Sequence, residues 1–207
     1  IARLVQKGYK VAICEQMEDP ALAKGLVERD ITRIITPGTV TESCMLEERK
    51  NNYMGCVFGQ SGQFGLAFCD LSTGAFFATT CSDPRAVASE LGRFTPSEVL
   101  RFGQGVEDEA ISDVLFRRLS CCVDEGKAED FDFEKACTCL ESHFGRSAEE
   151  LGLASFSAAL TASGALLQTL LTLQKNDLKH IRELQYYTTG RFMELDLAAR
   201  RNLELTE

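Results

Sequence analysis

The chain has 207 residues, 44% of them hydrophobic and 26% charged, so it can form one domain with flanking pieces or two small domains. Its net charge of −9 argues against nucleic acid binding over the whole surface. No apolar stretch reaches the roughly 18 residues of a membrane span, and no signal peptide is visible. We therefore expect a cytoplasmic protein without membrane contact, whose nine scattered cysteines are reduced.

The first forty residues are nearly neutral, with six basic and five acidic side chains. Their pattern predicts a strand at 8–13, a short helix at 19–25 and a second strand at 31–36. The helix would open with an Asp-Pro pair and close with glycine. A Thr-Pro-Gly-Thr turn at 36–39 is the first predicted boundary, and a charged linker follows it.

Past residue 51, three apolar runs of strand length alternate with short turns rich in glycine and serine. Because such short turns force neighbouring strands to run antiparallel, they predict a three-stranded meander. The remaining elements are predicted as a helix from 84, a strand at 99–102, a helix from 109, an edge strand at 119–123 and helices at 133–144 and 154–174. This order predicts an α/β fold, in which a mixed sheet with a three-stranded antiparallel meander and flanking helices matches the ribonuclease H-like arrangement.

Asp70 ends an apolar strand and so raises the alternative of a divalent-metal nuclease of the ribonuclease H type. Such catalysis needs several carboxylates around two metal ions. The first predicted strand carries no acid, and Asp70 precedes a Ser-Thr-Gly turn, where its oxygens can accept backbone N–H groups. We therefore interpret Asp70 as a turn-forming residue.

Cys137, Cys139 and His143 resemble half of a zinc site. On a helix, however, residues two apart point about 200° away from each other. We expect Cys137 to pack in the core and Cys139 to be exposed, with no metal bound. The sequence also contains no phosphate-binding loop and no nucleophile motif, so we predict no catalytic residue, no cofactor and no enzyme activity for this chain.

The window from 104 to 150 holds 13 acidic and 5 basic residues. Its simplest interpretation is the solvated face of two amphipathic helices. The alternative is a docking surface for a protein partner.

Three stretches resemble parts of one family, the bacterial MutS proteins of DNA mismatch repair. The end of the family's mismatch-recognition domain is similar to residues 8–39, GYKVAICEQMEDPALAKGLVERDITRIITPGT. A recurrent turn of its connector domain resembles DLSTGAF, from Asp70. The opening of its core domain resembles residues 195–207, LDLAARRNLELTE. All three occur in the family's order.

The resemblance implies a division of the chain into four parts. Residues 1–40 would be the C-terminal part of the mismatch-recognition domain, and 41–50 a linker. Residues 51–176 would be the connector domain, ribonuclease H-like without nuclease activity, and 177–207 the start of the core or lever domain. Because the chain begins at Ile1 rather than Met, we expect a piece of a longer protein, whose ends need not be domain boundaries.

The resemblance also implies a function. The connector would link mismatch-DNA binding to the core and ATPase domains and offer a docking surface for MutL. The full-length family protein dimerises, binds mismatched double-stranded DNA and uses ATP with Mg. Its mismatch reader and its ATPase lie outside this sequence. Candidate contacts to DNA phosphates are Arg29 first, then Lys24 and Arg33. Their alternative interpretation is surface solubility.

Overall fold

The computed structural model describes residues 1–18, 26–41 and 50–189, which form a small N-terminal unit and a six-stranded sheet between helices. The N-terminal unit contains α1 (Ala2–Val5), β1 (Val11–Gln16), β2 (Arg29–Ile35) and a 3-10 turn at Pro37–Thr39. The helix predicted at 19–25, most of the predicted linker and the motif from 195 lie outside the described residues.

The sheet is built from six strands in the order β7-β6-β3-β4-β5-β8. Its strands are β3 (Tyr53–Gln60), β4 (Gln63–Asp70), β5 (Ala75–Cys81), β6 (Glu98–Gly103), β7 (Cys122–Glu125) and β8 (Gln185–Tyr186). The helices are α2 (Pro84–Phe94), α3 (Glu109–Ser112), which continues as a π-helix at Asp113–Arg118, α4 (Phe133–Phe144) and α5 (Ser157–Gln174), and a 3-10 turn lies at Ala128–Phe131.

The predicted antiparallel meander is confirmed. Strands β3, β4 and β5 pair antiparallel in sequence order, because their connecting turns are too short for a crossover. Strand β6 then returns parallel to β3 after α2, and β7 lies parallel to β6 at the edge. The prediction of an α/β fold with one mixed sheet and flanking helices is thereby confirmed.

Each face of the sheet is covered by its own apolar core, because side chains alternate between the two faces of a strand. In β3, Met54 and Cys56 join the core beneath α4 and α5, whereas Val57 joins the core beneath α2 and α3. Helix α5 lies close to β4, where Gly65 carries no side chain. A Cβ atom at Gly65 would overlap the carbonyl oxygen of Ala158.

Several element bounds differ from the sequence predictions, and four of these differences have a clear local reason. The first strand continues to Gln16, because the hairpin pairing with β2 extends that far. The helix after Asp108 widens into a π-helix, in which the Leu119 N–H reaches Val114. The edge strand starts later than predicted, after Ser120 with its positive φ of 49°. Helix α5 begins only after Phe156.

Strand β8 was not predicted from the sequence. It has only two residues, and its strand conformation depends on parallel pairing with Phe77 and Ala78 of β5. In the segment before β8, Leu178, Ile181 and Leu184 are buried in the core that lies beneath α4 and α5.

Candidate functional site

The described candidate DNA contacts lie on the hairpin of β1 and β2, whereas Lys24 lies outside the described residues. Arg29 is the exposed first residue of β2 and pairs with Gln16. Arg33 is half-buried and pairs with Ile13. The register shifts between these pairs, because β2 contains one additional residue there.

This β-bulge places the two arginines on opposite faces of the hairpin. Side chains of directly opposed residues share a face, and the bulge breaks the usual alternation. Arg33 therefore shares its face with Ile35, which is fully buried with Val5 and Val40. Arg29 lies on the other, solvent-exposed face, so the structure does not bring the arginines together.

The Thr-Pro-Gly-Thr turn packs directly on the sheet. The side chains of Thr36 and Thr39 bond each other and the turn backbone, which closes the turn. The Gly38 N–H donates to Glu98 Oε2 at 2.9 Å. A Cβ atom at Gly38 would lie 2.9 Å from the Cβ atoms of Glu98 and Met54. Only glycine therefore allows the turn to approach the starts of β3 and β6 so closely.

Asn52 connects the same turn to the sheet from the other side. Its Nδ2 donates to the Pro37 carbonyl at 2.9 Å, and its Oδ1 accepts the Ser97 hydroxyl at 2.6 Å. We call the residues Thr36–Thr39, Asn52, Ser97 and Glu98 the junction. It fixes the N-terminal unit to the sheet through hydrogen bonds that span 15 to 60 residues of sequence.

Glu98 is the buried acid of the junction, with 1% of its surface exposed. Burial, and to a smaller extent the nearby Asp124 carboxyl, raises its pKa to about 7 against the lowering effect of the Thr36 hydroxyl and the Gly38 N–H. Glu98 Oε1 accepts no hydrogen bond within the described part of the chain. Asp124 in turn pairs with Lys10 Nζ of the N-terminal unit at 2.6 Å.

Asp70 is fully buried and forms the turn that the sequence predicts. Its Oδ1 accepts the Ser72 N–H, the Ser72 hydroxyl and the Thr73 N–H. Its Oδ2 accepts the Asn52 N–H at 3.3 Å. These bonds use the oxygens that a metal ion would need, so the geometry gives no support to a nuclease.

Cys137, Cys139 and the two histidines all take part in local structure. Cys137 and Cys139 are both half-buried against the core, so the expectation that Cys139 is exposed is wrong. Helices α4 and α5 lie close enough to cover it, and burial raises its pKa. His143 and His180 each bond a backbone carbonyl, at 2.9 and 2.8 Å. Among the described residues, no three potential metal ligands form a cluster.

The chain leaves the sheet at a second set of long-range contacts. The Tyr187 hydroxyl donates to the buried Glu90 of α2, and Arg93 lies over the Tyr187 ring at 4.9 Å. Thr79 donates to the Tyr187 carbonyl at 2.7 Å. Burial raises the pKa of Tyr187, and so does its bond to the Glu90 carboxylate. The segment after α5 is thus fixed to β5 and α2.

The acidic residues of the window 104–150 mostly serve local structure. Asp108 and Asp132 cap the first turns of α3 and α4. Asp113 pairs with Arg117 and Arg118 on the π-helix. These contacts favour the interpretation of a solvated face. The acids beside α4 also border an open groove between α4 and the segment 177–182, lined on this side by Glu129, Asp130, Asp132 and Glu134.

Several residues of these long-range contacts were missed by sequence reasoning. Glu98 gave one usable signal, a carboxylate as the first residue of an apolar strand in the interior of the sheet. Asn52 and Tyr187 gave none, because their roles depend on partners far away in sequence.

Comparison with protein families gives two matches along the chain. The model of MutS domain I matches residues 1–44, and the model of MutS domain II matches residues 52–182. No helix in the described ranges is long and apolar enough to cross a membrane.

The similar curated proteins match this chain over its whole length. The DNA mismatch repair protein MutS of Ruminiclostridium cellulolyticum is 42% identical over 210 residues, and that of Acetivibrio thermocellus is 43% identical. That of Methanococcoides burtonii is 39% identical. Each match covers 100% of this chain but only 24% of the relative, so the chain spans about a quarter of their length.

Proposed function

The chain belongs to the MutS family of DNA mismatch repair proteins, and on this premise we propose that it is a non-catalytic connector in the full-length protein. It links the DNA-binding part, to which residues 1–40 belong, with the core and ATPase domains that follow. The observation that carries this proposal is the junction, where Gly38 and Asn52 fix the N-terminal unit to the sheet.

The remaining family features are part of the same proposal. The domain of residues 51–176 is proposed to be ribonuclease H-like, and residues 41–50 are proposed to form the linker before it. The burial of Leu178, Ile181 and Leu184 favours placing the border of the core or lever domain after Tyr187 rather than at 177. The full-length protein would be a cytoplasmic dimer that uses ATP and Mg outside this chain.

Two contacts with partners are proposed. Arg29 positions the protein on the phosphates of mismatched double-stranded DNA, supported by its exposure on the outer face of the hairpin. MutL docks at the groove beside α4, supported by the four carboxylates on one of its edges. Lys24 and Arg33 stay weaker candidates, Arg33 because its face of the hairpin is largely buried.

The connector role is tested by Asn52→Ala in the full-length protein. The change removes both junction bonds of the side chain, so we expect heteroduplex binding to persist while ATP-triggered release from it slows several-fold. Each lost bond is worth about 1 kcal/mol, or about fivefold, so the loss of both sets an upper limit of about thirtyfold. Release would be followed by stopped-flow fluorescence of labelled DNA.

Asn51→Ala is the matched control. The Asn51 side chain bonds the Tyr53 hydroxyl of the adjacent strand and does not reach the turn. Equal release rates for Asn52→Ala and Asn51→Ala would contradict the connector role.

A further inference from the structure

Three ionisable groups from two parts of the chain meet at the edge of the junction. Glu98 lies on β6, Asp124 on the neighbouring β7, and Lys10 just before β1. Because Leu100 pairs with Asp124 in the parallel register, Glu98 and Asp124 are diagonal neighbours on the same face of the sheet. Both acids thus face the N-terminal unit.

One carboxylate oxygen among these three groups, Glu98 Oε1, has no hydrogen-bond donor among the described residues. Glu98 Oε2 accepts the Gly38 N–H, whereas Oε1 is buried and accepts no hydrogen bond among the described residues. An acceptor buried without a partner destabilises a fold. The neighbouring group is the Asp124 carboxyl, and two carboxyl groups can bond each other only when one carries a proton.

We propose that Glu98 and Asp124 share one proton, and that this proton holds the turn at 36–39 and Lys10 against the connector sheet. With the proton, Glu98 donates to Asp124, and Asp124 keeps its ion pair with Lys10. Without it, two neighbouring carboxylates on the sheet repel each other, and the single ammonium group of Lys10 is the one cation of this set. The proton passes to bulk water, and the junction loosens.

The surrounding groups favour the protonated form. Burial is the main cause of the raised pKa of Glu98, at about 7, and Asp124 adds to it. From the turn, only the Thr36 hydroxyl and the Gly38 N–H oppose it. The thiols of Cys121 and Cys122 lie nearby with raised pKa values, and are therefore uncharged at neutral pH.

The sign of the pH effect follows from these directions. The pKa of Glu98 is raised in the closed junction above its ordinary value of 4.5. The closed junction therefore holds a proton that the open one has lost, and its stability falls as the pH rises from 4.5 through about 7. Above that range the stability of the closed junction no longer depends on this proton.

The proposal rests on the connector role and makes its junction responsive to pH. Hydrogen exchange of the peptide containing Gly38, measured by mass spectrometry in the full-length protein, tests it. We expect the protection factor to fall about tenfold between pH 6 and 8.5, after correction for the intrinsic exchange rate. A protection factor that does not change with pH overturns the proposal.

Two variants identify the proton. In Glu98→Gln the amide is neutral at every pH and can donate to Asp124, so protection stays high and independent of pH. If this variant does not fold, Asp124→Asn serves instead, because its amide can donate to ionised Glu98, which lowers the Glu98 pKa and weakens the pH dependence. A native pH dependence in either folded variant overturns the proposal.

Glu125→Gln is the matched control. Glu125 follows Asp124 on β7 but is exposed and pairs with Arg101, so the variant keeps the native pH dependence. Loss of the pH dependence in this control as well would overturn the assignment to Glu98 and Asp124. These readouts concern the junction alone, and their failure leaves the release experiment with Asn52→Ala as an independent test of the connector role.

Discussion

Single residues differ in how far their roles could be predicted from sequence. Asp70 was interpretable because its partners, Ser72 and Thr73, follow within three residues. Glu98 was not, because its partner Gly38 is 60 residues away and meets it only once the sheet has formed. The separation of Arg29 and Arg33 was equally hidden, since simple strand alternation would place them on one face. One additional residue in β2 reverses that conclusion.

The prediction for a single residue concerns the contact of Arg29 with DNA. Replacing Arg29 with Gln in the full-length protein removes one phosphate contact, so we expect weaker binding to duplex DNA of any sequence. The slope of log K against log salt concentration should become shallower by about 0.9. Fluorescence anisotropy over a salt series measures both quantities.

The control for this change is Arg85→Gln, at an exposed position in the first turn of α2 rather than on the hairpin. It should leave the salt slope unchanged. An unchanged slope in Arg29→Gln would show that Arg29 contacts no phosphate.

Elements were predicted well wherever a local signal defines them. Short turns gave the meander, and Asp83 before Pro84 gave the start of α2, where its side chain accepts the N–H groups of Arg85 and Ala86. Strand β8 was out of reach, because two residues carry no periodicity and become a strand only against β5. The π-helix was missed for a similar reason, since it preserves the apolar positions of an α-helix while changing the bond pattern.

Helix α4 carries the prediction at the scale of elements. Glu134 is an exposed acid in its first turn, on the edge of the groove. Glu134→Lys reverses one charge there, so we expect the full-length protein to capture MutL more weakly, by roughly tenfold for a rim charge worth about 1.4 kcal/mol. Surface plasmon resonance with immobilised MutL measures the affinity.

Glu109→Lys is the matched control for Glu134→Lys, because Glu109 is also an exposed acid in the first turn of a helix. Its helix α3 covers the opposite face of the sheet. If the two variants capture MutL equally well, the groove beside α4 is not its docking site.

At the scale of the whole molecule, two sets of long-range hydrogen bonds connect the sheet to neighbouring segments among the described residues. The junction fixes the N-terminal unit at the starts of β3 and β6, and Tyr187 fixes the outgoing chain to α2 and β5. The family resemblance gave the identity of the parts, whereas their mode of connection appears only in the structure. Hydrogen bonds between residues far apart in the chain produce no periodic pattern in the sequence, so the way the parts connect could not be predicted.

A disulfide across the two parts tests the central claim, that the junction couples them. A Cβ atom at Gly8 would lie 3.0 Å from Cys122 Sγ, which suits a bond whose sulfur atoms are about 2.05 Å apart. Gly8→Cys should therefore crosslink to Cys122 on oxidation, at a strain cost of about 1–2 kcal/mol for its positive φ.

The decisive measurement is the rate of ATP-triggered release from a heteroduplex by the full-length protein carrying both Gly8→Cys and Asn52→Ala. We expect slow release when the protein is reduced and near-normal release once the disulfide restores the connection that Asn52 provided. Equally slow release in the oxidised and reduced forms, with the crosslink verified by mass spectrometry, would contradict the central claim.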